Sequence, residues 1–398
     1  MTIGAVGDIM MDDGMQRLAA LLADPLAGDP DDRIVSGFTR LFERVQPDLD
    51  RADLLLGNLE TPIAEDLVPQ FYAGPNDRTY AHEVEVEEGV LYDGNAYDGC
   101  FLMLLVPNFN AHPLLARALR EAGWDAASTA NNHALDRALN GIDRTIDALR
   151  AGGLPFAGTY RSNEIVDLDG DDYPDNSPYI SLEVEGMRVA FVAFTKPLNG
   201  VSPELGGPDL DRQVVRVEDD PERALQSVAR ARNESGADLV IVSTHWGVEN
   251  TATVSPFQRE LAQALADAGA DVVLGHHPHV LQPAQKLVAT DGRETVVFYS
   301  LGNITGGPGD LVPGVEATAI FYIGVKRSAE GTFLSGFQYV PVQIARETYS
   351  ETEEIIRPRA IDRDGGSPAT RDRIIQVLGT GNLKPSDAPI DFPDDCTG

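Results

Sequence analysis

Three of the chain's seven histidines fall within five residues, Gly275-His276-His277-Pro278-His279. Imidazoles crowded in this way can bind a metal ion or move protons. Five other segments end an apolar run in a similar polar cluster. They are Gly7-Asp8, Gly57-Asn58-Leu59-Glu60, Asn131-Asn132-His133, His245-Trp246-Gly247 and Leu301-Gly302-Asn303. Together they offer carboxylate and amide oxygens beside imidazole nitrogens, a donor mixture suited to a hard or borderline divalent ion. Each cluster alone says little, because an acid at a strand end is usually a turn or cap residue. A lone histidine beside a tryptophan, as at His245, is as often a packed core residue. The recurrence carries the reading.

Convergence requires elements that bring distant segments to one edge. The runs Ile3–Val6, Asp53–Leu56, Asp125–Thr129, Leu239–Thr244, Asp271–Leu274 and Val296–Ser300 are short and rich in Val, Leu, Ile and Ala. Such runs followed by turn residues read as buried strands. In open α/β sheets, ligands sit beyond the carboxyl ends of the strands. Helical spacing appears over Phe38–Val45, Pro113–Ala122, Gly141–Ala151, Pro221–Ser235 and Pro256–Ala268. The last two have Pro near the start and Gly after the end. From Ala317 onward, and again over Phe337–Val342, the pattern turns to hairpin strands. The fold class is therefore layered α/β with mixed sheets.

The organisation expected is one domain over 1–345, with inserted loops at 66–108 and 161–180, and a polar C-terminal tail over 346–398. Asp167-Leu168-Asp169-Gly170-Asp171 looks like part of a calcium loop. Its Gly falls at the fourth position, and Pro178 stands where the twelfth-position Glu belongs. It reads as a solvated acidic loop.

Composition bounds the function. The net charge is −32, with 63 acidic against 31 basic residues, and lysine occurs only at 196, 286, 326 and 384. No basic stripe is present, which argues against a nucleic-acid partner. The acidic balance resembles that of intracellular proteins of high-salt organisms, where screening relieves self-repulsion. No signal peptide or membrane span is visible, so a cytoplasmic location without direct membrane insertion is expected. Cys100 and Cys396 read as free thiols. A Gly-x-Ser-x-Gly elbow and a phosphate-cradling Gly-x-x-x-x-Gly-Lys loop are both missing, so Ser-His-Asp and nucleotide-driven chemistry are not indicated.

The chain resembles the CapA family, which is associated with poly-γ-glutamate capsule synthesis and is similar to the calcineurin-like metallophosphoesterase superfamily. The match runs over roughly 2–345. It rests on Gly7-Asp8, Asn58-Leu59-Glu60-Thr61-Pro62-Ile63, Asn131-Asn132-His133-Ala134-Leu135-Asp136, His245-Trp246-Gly247, Gly275–Val280 with Leu281-Gln282-Pro283, and Tyr299-Ser300-Leu301-Gly302-Asn303. The resemblance implies a four-layer αββα sandwich with two divalent ions (Mn, Fe, Zn or Mg) at the strand ends. It implies metal ligation by Asp8, Glu60, Asn132, His245, His277 and His279. His133 would act near the leaving group, with Asp136 orienting it or starting a helix. His276 falls outside the ligand pair and is expected behind it.

Two departures from the superfamily stand out. Met10 occupies the place of a ligand histidine, and Glu60 that of a bridging aspartate. The implied activity is hydrolysis of a phosphoester in a small-molecule or polymer substrate by a metal-activated water. The alternatives are a weakly catalytic or non-catalytic component of poly-γ-glutamate capsule synthesis or export, and an amide hydrolase using the same site.

Overall fold

The computed structural model describes residues 1–64, 67–69, 81–83, 109–166, 176–196, 212–217, 221–306, 312–329, 331–348 and 354–392. The insertion expected at 66–108 lies outside these residues, apart from Leu67–Pro69 paired antiparallel with Ala81–Glu83. The calcium-like run at 167–171 and both cysteines also lie outside them.

The apolar runs form strands whose both faces are covered. The first sheet takes β1 (Thr2–Ile9), β2 (Leu54–Leu59), β3 (Ala126–Ser128) and β4 (Phe156–Ala157), all parallel. The second takes β5 (Tyr179–Val184), β6 (Met187–Thr195), β7 (Leu239–His245), β8 (Val272–His276), β9 (Leu281–Val288) and β10 (Glu294–Leu301). Its order is β9-β10-β8-β7-β6-β5, parallel except at its two edge strands. After β10 the chain passes to the first sheet, where β11 (Asn303–Thr305) pairs parallel with β1. The long hairpin β12 (Ala317–Ser328) and β13 (Gly331–Thr348) then extends that sheet antiparallel to β1. Parallel strands buried on both sides read as near-continuous hydrophobic runs, which is why β7 (LVIVSTH) was legible.

Alternating side chains fill three seams and so define four layers. Ile3, Ala5, Leu54 and Leu56 of the first sheet pack between the sheets on Phe191, Ile241, Leu274 and Phe298 of the second. On the outer face of the first sheet, α1 (Asp13–Leu22), α2 (Pro30–Arg40) and α3 (Leu115–Glu121) bury Met15, Phe38 and Leu119 beside Trp124. Across the fold, α5 (Pro221–Glu234) and α6 (Pro256–Ala268) cover Val240, Val242 and Val273. Between these in sequence, α4 (Ala138–Gly152) joins Ile142 and Ile146 to the inter-sheet seam. The αββα sandwich implied by the resemblance is present.

Two expectations need correction. The spacing predicts a first helix over Phe38–Val45, whereas the helix runs over Pro30–Arg40, started by the Asp29 cap and Pro30. The polar C-terminal stretch over 346–398 is not simply a tail. Instead β14 (Glu354–Ala360) pairs with β13, and α7 (Pro368–Leu378) inserts Ile374 into the inter-sheet core. A few buried positions suffice to dock these elements, so their composition stays polar. No helix of the described residues is long and apolar enough to cross a membrane.

Candidate metal centre

The parallel strands of both sheets end on the same side, and the polar clusters follow them. Close packing at these strand ends depends on glycine: a Cβ on Gly7 of β1 would overlap the Gly302 carbonyl where the chain passes from β10 to β11, and one on Gly275 of β8 would overlap that of Tyr299 on the neighbouring strand β10. Asp8 N donates to Gly302 O at 2.9 Å, which fixes the Asp8 carboxylate at the junction between the sheets. His277 and His279 have φ of 93° and 58°. Non-glycine residues in this region carry backbone strain, typically where a site requires it. Here the strained turn directs two imidazoles two residues apart toward the same pocket.

All six residues expected as ligands are buried in one cluster, at most 9% exposed. Asp8, Glu60 and His279 form one group whose ligand atoms lie within 4.8 Å of each other, and Glu60, His245 and His277 form a second. Glu60 belongs to both. His245 Nε2 lies 2.8 Å from Asn132 Oδ1 and 3.3 Å from Glu60 Oε1, so Asn132 stands beside the second group. The 3.3 Å approach is not a hydrogen bond, and both Glu60 oxygens are buried without a donor, as is His277 Nδ1. A buried carboxylate with no donor is costly unless a cation supplies the missing charge. The donor set therefore fits a divalent metal, and Glu60 belongs to two of the candidate groups.

His133 and Asp136 sit beside this cluster. His133 Nδ1 is 2.6 Å from Asp136 Oδ2, leaving the other ring nitrogen to face outward from that pair. Asp136 also accepts from Phe109 N at 2.7 Å, and the Phe109 ring packs 4.4 Å from that of His133. The cap of α4 is Arg137, without a side-chain capping bond, so Asp136 serves the imidazole and not the helix. His276 lies behind the ligands, with Nδ1 2.9 Å from Asp8 Oδ1.

Electrostatics follow from burial. Burial would raise the Asp8 carboxyl, but hydrogen bonds from His276 and His279 outweigh it and hold the group well below its ordinary 3.8. Glu60 is pushed well above 4.5 by burial, then by the Asp8 charge and by Glu249 and Asp136. Burial and the neighbouring His279 take His277 down to about 3. Burial and His277 likewise keep His245 well below 6.5. Burial also works against a charged His279, but its bond to Asp8 outweighs this and raises it above 6.5. Two imidazoles are thus held neutral, the form that binds a metal.

Sequence reasoning gave no role to several residues that hold the cluster. Asn58 Nδ2 donates to Asp8 Oδ1 at 2.9 Å, and Asn131 Nδ2 donates to Leu59 O at 2.7 Å. Asn303 Oδ1 lies 3.0 Å from His279 Nδ1. All three lay in the strand-end clusters, which was the available signal. Phe109 and Glu249 gave none. Glu249 forms a third group with His277 and His279, again with ligand atoms within 4.8 Å, and it is the exposed member.

The family described as "Bacterial capsule synthesis protein PGA_cap" matches residues 2–307. Capsule biosynthesis protein CapA of Bacillus anthracis is 29% identical over 306 residues, covering 76% of this chain and 59% of that protein. PGA biosynthesis protein CapA of Bacillus subtilis (strain 168) is 25% identical over 314 residues, 78% of this chain and 67% of that protein. The chain thus spans about three fifths of the first relative's length. Among solved structures, the calcineurin-like phosphoesterase YfkN from Bacillus subtilis aligns with a TM-score of 0.42 at 15% identity, covering 94% of this chain and 95% of that one.

Proposed function

We propose, from the premise that the chain belongs to the bacterial capsule synthesis protein (PGA_cap) family, that it is a divalent-metal-dependent hydrolase acting in poly-γ-glutamate capsule synthesis. The single observation that carries this reading is Glu60, buried without a hydrogen-bond donor and shared by two groups of potential ligands. Asp8 and His279 would hold one ion, and Asn132, His245 and His277 the other, with Glu60 between. Bound divalent ions supply Lewis acidity and an activated water. His133, fixed through Nδ1 by Asp136, is placed to protonate the departing oxygen. Asn58 and His276 keep the Asp8 carboxylate aimed. The bond we assign first is a phosphoester, in a small-molecule or polymer substrate that is not nucleic acid. The charge of −32 disfavours a polyanion unless ions mediate its approach.

A second reading, cleavage of an amide, is favoured by the relative named for PGA biosynthesis, since polyglutamate is joined by amides. Both bonds need an oxyanion stabilised by positive charge. Metal-stripped protein would be loaded with Mn²⁺ and assayed on a generic phosphomonoester, a phosphodiester and poly-γ-glutamate. Metal-dependent turnover of an ester supports the first reading, and shortening of the polymer alone supports the second. Bound metal with no turnover of any substrate replaces both with a non-catalytic role in capsule assembly. Failure to bind metal at all removes the centre.

A further inference from the structure

One carboxylate at the centre is exposed, and the two-ion reading does not use it. Glu249 follows His245 by four residues, on the turn that leaves β7. Its carboxylate lies with ring nitrogens of His277 and His279 in a group spanning at most 4.8 Å. Those two histidines belong one to each of the groups that Glu60 joins. Glu60 is fully buried and Glu249 is exposed, so the two acids meet the histidine pair from the protein and solvent sides respectively.

The turn carrying Glu249 is tied to the histidine loop at both ends. Trp246 N donates to His276 O at 3.1 Å, and Asn250 N donates to Pro278 O at 2.8 Å. Trp246 is itself anchored, buried and donating through Nε1 to Tyr299 O at 2.9 Å. Gly247 and Asn250 both have positive φ, 92° and 59°, which folds the intervening residues back toward the histidines. Gly247 packs so closely on Gln258 that a Cβ would lie 3.0 Å from that side chain. The placement of Glu249 over the pocket is therefore built into the backbone.

We propose that Glu249 is a further ligand of this centre, a solvent-side carboxylate completing one of the two ions, on the side where His277 of one group and His279 of the other approach each other, and exchanging with water or with an anionic group of the substrate. This inference rests on the two-ion reading above. It adds a negative charge at the mouth, where exchange can occur, opposite the permanently buried Glu60. An exposed ligand costs little desolvation to release, unlike Glu60.

The test is Mn²⁺ titration of metal-stripped full-length protein, read by electron paramagnetic resonance and calorimetry, in the wild type, Glu249→Gln and Glu249→Asp. Each titration is run at about 0.1 M and about 1 M KCl, where the Debye length falls from about 10 to about 3 Å. Circular dichroism checks that the exposed substitution leaves the fold intact. The expected result is a loss of affinity of about tenfold or more at one Mn²⁺ position in Glu249→Gln. The loss should persist at high salt and be accompanied by a changed Mn²⁺ spectrum. The shortened Glu249→Asp should show the loss too, because its charge is kept but its reach is not. Wild-type affinity in Glu249→Gln, or a loss that disappears at high salt, overturns the ligand role while the two-ion reading stands. A wild type that binds no Mn²⁺ overturns both.

Discussion

Replacing Glu60 by glutamine should stabilise the metal-free protein and abolish its response to metal. Glu60 is fully buried, and neither oxygen receives a hydrogen bond. Burial and the adjacent Asp8 charge push its carboxyl well above 4.5. A group whose folded pKa is raised contributes stability below its unfolded value and loses it as pH rises through the folded value. The metal-free wild type should therefore weaken through this residue as pH rises above 4.5, and Glu60→Gln should remove that part of the slope. Relieving one unsatisfied buried group is worth ~1–3 kcal/mol. In the wild type, Mn²⁺ at about 100 times its dissociation constant should return ~2.7 kcal/mol, because it binds only the folded state. The variant should gain little. Urea unfolding of both proteins, with chelator and with Mn²⁺, at an acidic and an alkaline pH, measures all four terms. A variant less stable than the metal-free wild type, with Mn²⁺ stabilising both equally, would refute the reasoning.

Further outcomes follow from the same geometry. Glu60 and His279 both hold protons above their ordinary values of 4.5 and 6.5, so Mn²⁺ must displace protons, and its affinity should fall as pH drops. Calorimetry in buffers of different ionisation heat should register proton release, and a buffer-independent heat contradicts it. His133→Gln should lower turnover by about 10²–10⁴-fold with metal content unchanged, and Asp136→Asn should lower it by less. Equal activity in His133→Gln would remove the proton-donor role. Gly7→Ala should destabilise the fold by ~1–3 kcal/mol and lower metal affinity, since its Cβ meets the Gly302 carbonyl; an unchanged melting temperature would show that the segment entering β11 can shift away from β1 without cost. Raising KCl from about 0.1 to about 1 M should raise the melting temperature, because screening relieves the repulsion of a −32 chain. A flat or falling curve would count against a high-salt habitat.

What could be read from sequence divides along physical lines. Parallel strands buried on both faces must be continuous apolar runs, so β1, β7, β8 and β10 announced themselves and carried their polar ends with them. The helix α6 matched from Pro256 to Ala268 because its signals are local: Ser255 caps it and Gln258 completes the capping box. By contrast, α1 and the first turns of α2 were missed. Gly37 breaks the helical pattern of α2, yet a Cβ there would meet the Ala19 carbonyl, so the glycine exists for a helix crossing that no local pattern reveals. Glu249 was equally invisible. Its spacing from His245 means nothing until the backbone of residues 246–250 is bonded to the histidine loop.

The centre also explains why its supporting residues are amides as well as acids. Asp8 already collects Asn58, the His277 N–H and two imidazoles, which settles negative charge on that carboxylate. A second carboxylate beside it cannot be stabilised by the same donors, and Glu60 has none. Had the fold been selected for stability alone, an amide or apolar residue at position 60 would serve better. Two neutral imidazoles, His245 and His277, then face that undonated carboxylate, although protonated imidazoles would satisfy it. Burial keeps them neutral, so without metal the missing positive charge is met only by protons retained on Glu60 and His279. Divalent cations can displace those protons and supply the charge in their place, which couples the strained His277–His279 turn, the glycine-packed strand ends and the buried Glu60 to one requirement.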